Sequence, residues 1–199
     1  MGWDAHVVSE YKDGDVWRIA QPYTTEKYFD YDQGTTEVKL ECESLWGMYC
    51  QRNYKSTRNY NLFRILAGIR NTQEAVDREY QAAQQYKNDH EIYHYLIPET
   101  LEPVTPLAEL QGGSVGEDIS DEVVTIMCDN CCDRYHVVIT LQQIEQFLVQ
   151  GNNREIYHEL RYLYEDIVVQ YGNICRWYQK AYDAVLTKDQ FRIVVGFNV

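Results

Sequence analysis

Arg58-Asn59-Tyr60-Asn61-Leu62-Phe63-Arg64-Ile65-Leu66-Ala67-Gly68-Ile69-Arg70-Asn71 is the clearest amphipathic stretch of the chain, and its reading decides the architecture. Leu62, Ile65, Leu66 and Ile69 recur at i, i+3, i+4 and i+7, so they share one helical face that another element must cover. Asn59 or Asn61 suits its start and Asn71 its end. The stretch reads as the first core helix, with strands before it and longer helices after it.

Toward the N-terminus, His6 to Tyr11 reads as a strand around Val7 and Val8, and Val16 to Ala20 as a second. Asp13-Gly14-Asp15 between them is a hairpin signal. Pro22 to Thr36, aromatic and polar with Gly34, is expected as a loop. Glu37 to Cys42 alternates Val38 and Leu40 with charged neighbours, as a strand with one wet face does. Leu45 to Tyr54 fits neither period.

Toward the C-terminus, Thr72 to Lys87 is rich in Gln, Ala and Glu and is expected to be helical, with Val76, Tyr80 and Ala83 on one side. The helix can continue through His90 and His94 until Pro98 stops it. Pro98, Pro103, Pro106 and Gly112-Gly113 then mark an acidic loop or insertion around 97–120. Ser120 suits the cap of a short helix bearing Val123, Val124 and Met127, and Tyr135 to Ile139 reads as a strand. Thr140 to Gln143 fits a capping box before a helix whose apolar face is Ile144, Phe147 and Leu148. Gly151-Asn152-Asn153 ends it. Ile156, Leu160, Leu163 and Ile167, then Ile174, Trp177, Ala181 and Val185, repeat at helical spacing, as two helices or one bent helix. Phe191 to Phe197 is a closing strand, central because Ile193, Val194 and Val195 are consecutive. The expected fold is therefore α+β: a single domain over 1–199, with a mixed sheet from the N-terminal strands and the C-terminal strand packed by four to five helices.

The 199 residues, 45% of them hydrophobic, are enough to bury a sizeable core without staples. The 18 basic and 31 acidic side chains leave a net charge of −13. That balance disfavours direct nucleic-acid binding, which needs a basic face. No Lys or Arg occurs from Asn88 to Asp133, so the acidity is concentrated in one segment, read as a solvated loop or as a docking surface for a basic partner. Met1 to His6 has neither a basic region nor an apolar core, and no apolar run is long enough to span a membrane. A reducing cytoplasm is the expected setting, with Cys42, Cys50, Cys128, Cys131, Cys132 and Cys175 as thiols.

Three groupings have chemical content. His90-Glu91-Ile92-Tyr93-His94 is H-E-x-x-H: on a helix two imidazoles at i and i+4 can hold Zn²⁺ while the glutamate activates its water. No third ligand is evident, and Lys87 lies one turn before on the same face. Cys128-Asp129-Asn130-Cys131-Cys132 with His136 is half of a structural zinc pattern, which normally has two such pairs. Asp4 and His6 project from one face of the first strand, a metal-ligand or acid/base pair too small to specify either. The eighteen tyrosines, including Tyr157, Tyr162, Tyr164, Tyr171, Tyr178 and Tyr182 along the long helices, supply core or a partner surface.

Several stretches taken together resemble a family of bacteriophage and prophage proteins. Its members begin Met-Gly-Cys-Asp-Ile-His and soon reach Glu-Tyr, matched by Met1-Gly2-Trp3-Asp4-Ala5-His6 and Glu10-Tyr11. A Gly-Arg-Asn-Tyr-x-Leu-Phe-x-x-Leu-Ala-Gly-Val-Arg segment is similar to Arg58 to Arg70. A Leu-Pro-x-Asp-Val-Ser segment is similar to Gly116 to Ser120, and a His-led Leu-Thr-Leu segment to His136 to Leu141. The end is similar to Phe191 to Phe197. Trp3 and Ala5 depart from the pattern, and the Asp-Gly-His-Ser around the later histidine is absent.

The resemblance implies that Asp4, His6, Arg58, Asn59, Arg70 and His136 are the recurrent polar positions and the ligand-binding set, with the arginines gripping a phosphate or carboxylate. It implies a cytoplasmic accessory protein of the infected host cell that binds and sequesters or inhibits a host component, such as a nucleotide-like defence signal, without a cofactor. The alternatives are a zinc-dependent hydrolase using His90, Glu91 and His94, and an acidic decoy for a basic host protein. A homo-oligomer is left open.

Overall fold

A computed structural model of the chain describes residues 4–20, 24–30, 35–41, 60–89, 102–113, 118–129, 134–150 and 158–198. The strands are β1 (Asp4–Asp13), β2 (Val16–Ile19), β3 (Thr24–Asp30), β4 (Thr35–Glu41), β5 (Gln111–Gly112), β6 (Tyr135–Thr140) and β7 (Phe191–Asn198). The helices are α1 (Tyr60–Ala67), α2 (Gln73–Asp89), α3 (Asp121–Asp129), α4 (Leu141–Gln150) and α5 (His158–Tyr182), and a short 3-10 turn (Lys188–Gln190) leads into β7.

Five strands form one sheet in the order β2-β1-β7-β6-β5, while β3 and β4 pair as a separate hairpin. The fold is α+β, as the sequence led us to expect. The sheet is antiparallel at every pairing rather than mixed. β7 lies at its centre, and its consecutive apolar residues are buried on both faces. The loop expected over Pro22 to Thr36 is overturned at Thr24–Asp30, a strand paired with β4 from Thr24↔Glu41 to Asp30↔Thr35. Thr24, Thr25, Tyr28 and Phe29 are β-branched or aromatic residues that favour extended backbone, and pairing outweighs their loop-like composition.

Alternation along the strands divides the side chains between two layers. Ala5, Val7, Val137, Ile139, Ile193, Val195 and Phe197 point to the face covered by α1, α4 and α5, where Leu62, Phe63, Leu66, Ile144, Leu163 and Ile167 complete the main core. Val8 and Val194 point the other way, against Ile119, Val123, Ile126 and Met127 of α3 and its approach. A helix on each side of the sheet gives three layers.

Two connections depart from expectation. α1 ends at Ala67, where Gly68 adopts φ +69 and donates to the Arg64 carbonyl at 2.9 Å. Asn71 does not cap that helix; its side chain clasps the Val104 backbone through two hydrogen bonds of 2.5 and 2.8 Å. The Pro-containing stretch is thus fastened to α1, with Leu107 and Ala108 donating to the carbonyls of Ile65 and Leu66. Of the two expectations for the Ile156 to Val185 repeat, two helices or one bent helix, the described residues show one helix, α5, unbroken through Gly172 and ending at Tyr182, short of Val185. Tyr164, Tyr171 and Tyr178 are half-buried, whereas Tyr162 and Tyr182 are exposed. The continuation of α2 through His90 to His94 lies outside the described residues.

Candidate functional site

On the face covered by α3, the strand registers line up polar residues in rows. His6 pairs with Gly196, and Gly196 pairs on its other edge with His136. Directly opposed residues share a face, so both imidazoles stand on the same side with only a glycine between them. Two strand spacings separate their backbones, about 10 Å. His136 is 4% exposed and its Nδ1 is buried without a hydrogen-bond partner. Burial pushes its pKa below the usual histidine value, which favours the neutral ring. His6 is half-buried.

Two rows along, Glu10 opposes Arg192. Arg192 Nε donates to Glu10 Oε2 at 2.7 Å, and the Ser120 backbone N–H donates to Glu10 Oε1 at 2.8 Å. The guanidinium also donates to the Asp118 carbonyl, lies 3.5 Å from the Asp118 carboxylate and stacks 3.7 Å from the Trp17 ring. A buried ion pair supported by these further contacts joins β1 and β7 to the start of α3. Ser120 is also the expected cap, accepting from Val123 N–H at 3.4 Å. Beside this cluster is a groove of about 400 Å³ whose lining includes Asp15, Trp17, Arg18, Asp118, Asp121 and Glu122. Arg18 is engaged by Asp13 at 2.8 Å, so carboxylates set the groove's charge.

Arg70 belongs to a different cluster. It lies in the turn after α1, at φ +53, stacked 3.8 Å from the Tyr60 ring and 3.7 Å from the Glu79 carboxylate. Arg64, 1% exposed, meets the other oxygen of Glu79 at 2.5 Å and also reaches the Arg70 carbonyl and Asn61. Burial raises the Glu79 pKa against the opposing pull of Arg64 and Arg70. The carboxylate that these arginines grip is the chain's own.

The predicted ligand set therefore does not converge as a whole among the described residues. His6 and His136 are neighbours, and the Asp4 backbone pairs with Asn198 at the same end of β1. Arg70 follows a helix that packs on the opposite face, because the odd-numbered residues of β7 meet α1 while Gly196 shares the even-numbered face with Arg192 and Val194. Arg58 and Asn59, like His90, Glu91 and His94, lie outside the described residues. So do Cys131 and Cys132; Cys128 is exposed at the end of α3. No three His, Cys, Asp or Glu among the described residues group as a metal cage, and no described helix is long and apolar enough to cross a membrane.

Sequence reasoning missed Glu10, Arg192, Arg64, Glu79 and Trp17. A signal existed for one of them: Arg192 interrupts a strand otherwise buried on both faces, and a charge there needs a partner. Its partner is 182 residues away in sequence and could not be read from spacing. Comparison with known protein families, with curated proteins and with solved structures finds no match to this chain.

Proposed function

We propose that the chain is a phage or prophage accessory protein that acts by binding a host component, and that the component is a basic protein seated on the acidic groove beside Trp17. The observation that carries this reading is the contrast between that groove, bordered by Asp15, Asp118, Asp121 and Glu122, and the arginines Arg64, Arg70 and Arg192, which are held on internal carboxylates. A nucleotide-like anion would have to displace Glu79 to use Arg70, whereas a lysine or arginine side chain meets complementary charge at the groove. Net charge of −13 steers a cationic partner toward the surface as well. Asp121 and Glu122 lie in the first turn of α3, where they also favour the helix dipole.

The test uses an arginine-rich peptide as the probe and compares two doubly neutralised variants of equal net charge. Asp121→Asn/Glu122→Gln alters the groove, and Glu74→Gln/Glu109→Gln alters exposed carboxylates elsewhere. The groove variant is expected to bind about thirtyfold more weakly than the control variant, from two contacts of roughly 1 kcal/mol each, with affinity falling as salt is added. Equal affinities for the two variants would overturn the reading.

A further inference from the structure

We propose that the row His6–Gly196–His136 binds a divalent transition-metal cation of the zinc class, with the two imidazoles as its protein donors and water in the remaining positions. This site lies at the opposite end of the sheet face from the acidic groove and does not depend on the function proposed above. Three features of the described residues lead to it.

The first is the unsatisfied atom. A buried polar group without a partner is destabilising, so native structures supply a partner or use the group. His136 Nδ1 is the only buried imidazole nitrogen left in that condition among the described residues. The second is register. His6 and His136 oppose the same residue from its two edges, and that residue is glycine. Any other residue at 196 would send a side chain up between the rings; glycine lets both lean inward across the roughly 10 Å span toward donor distances of about 2.0–2.1 Å from one ion. The third is charge. A dication entering the interior of a chain with net charge −13 meets a favourable long-range field, whereas an anion does not. Imidazole nitrogens suit zinc, copper and nickel and are poor donors for calcium or magnesium, which select oxygen.

The donors come from two strands that are not themselves neighbours, so only the folded sheet creates the arrangement. Two protein donors fall short of the four of a structural zinc site, which marks this as an open site with exchangeable positions.

The experiment is a titration of Zn²⁺ into chelator-stripped, ¹⁵N-labelled full-length protein, following the ring nitrogens of all five histidines by long-range ¹H–¹⁵N correlation. The expected result is that the His6 and His136 nitrogens shift together at stoichiometric Zn²⁺, with His136 Nδ1 moving to a metal-bound position. Gly196→Val, with the fold checked by circular dichroism, is expected to abolish those shifts while leaving any response of His90 and His94 intact. If only His90, His94 or His158 respond, or none does at several-fold excess metal, the proposal fails. Should Gly196→Val not fold, the wild-type titration decides alone.

Discussion

Neutralising Glu10 tests the buried ion pair that joins β1, β7 and the start of α3. Its side chain is 0% exposed and the guanidinium-bearing side chain of its partner Arg192 5%, so neither charge can turn to water when the other is removed. In Glu10→Gln the amide oxygen can accept from Ser120 N–H or from Arg192 Nε, not both. The amide nitrogen then faces a donor. Removing one member of a buried pair costs about 3–5 kcal/mol. Arg192 keeps the Asp118 carbonyl, the Asp118 carboxylate and the Trp17 ring, which places the expected loss near the lower end, about 3 kcal/mol. With a urea slope of about 2 kcal/mol/M, the midpoint falls by about 1.5 M, and the melting temperature by roughly 6–12 °C. Urea titration followed by far-UV circular dichroism reads this directly. Glu10→Leu/Arg192→Met replaces the pair with apolar groups of similar size and is expected to recover most of the loss. A loss below about 1 kcal/mol in Glu10→Gln would refute the reasoning, as would a double variant as unstable as the sum of the singles.

Gly68→Ala is expected to cost about 1–2 kcal/mol in the same titration, because φ is +69 and the new Cβ would meet Pro106 Cγ at 3.4 Å. Thr140→Ala is expected to cost about 1 kcal/mol, since Thr140 Oγ1 accepts from Gln143 N–H at 3.2 Å and Gln143 Oε1 from Thr140 N–H at 2.8 Å; an unchanged midpoint would exclude the capping box as a source of stability. Burial raises the Glu145 pKa, but hydrogen bonds from Lys188 and Tyr164 outweigh it and leave the group below its ordinary 4.5. A depressed folded-state pKa contributes stability above the unfolded value that is lost as pH falls through the folded one. The stability gap between wild type and Glu145→Gln is therefore expected to be full above about pH 4.5 and to close on further acidification; a gap independent of pH would exclude it.

Much of the secondary structure was legible because it is dictated by neighbours in the chain. The spacing of Leu62, Ile65 and Leu66 specifies a helical face, Asp13-Gly14-Asp15 a turn with Gly14 at φ +63, and Thr140 to Gln143 a capped start. The consecutive Ile193, Val194 and Val195 even announced a strand covered on both faces, since no alternation is needed where water touches neither side. The β3 strand was missed because Pro22, Gly34 and the polar residues between them point to a loop, while the extended preference of Thr24, Thr25, Tyr28 and Phe29 is realised only through pairing with β4.

Which polar groups meet depended on long-range register and on the side of the sheet each strand presents. The sequence alone determined that His6, His136, Arg70, Glu10 and Arg192 were present and on which elements most of them lay. Only tertiary structure decided that Glu10 neutralises Arg192, that Glu79 takes Arg64 and Arg70, and that Gly196 sits between His6 and His136. The physical reason is period: in a strand, one residue of register exchanges the two faces, and local propensity does not set register between segments far apart in the chain.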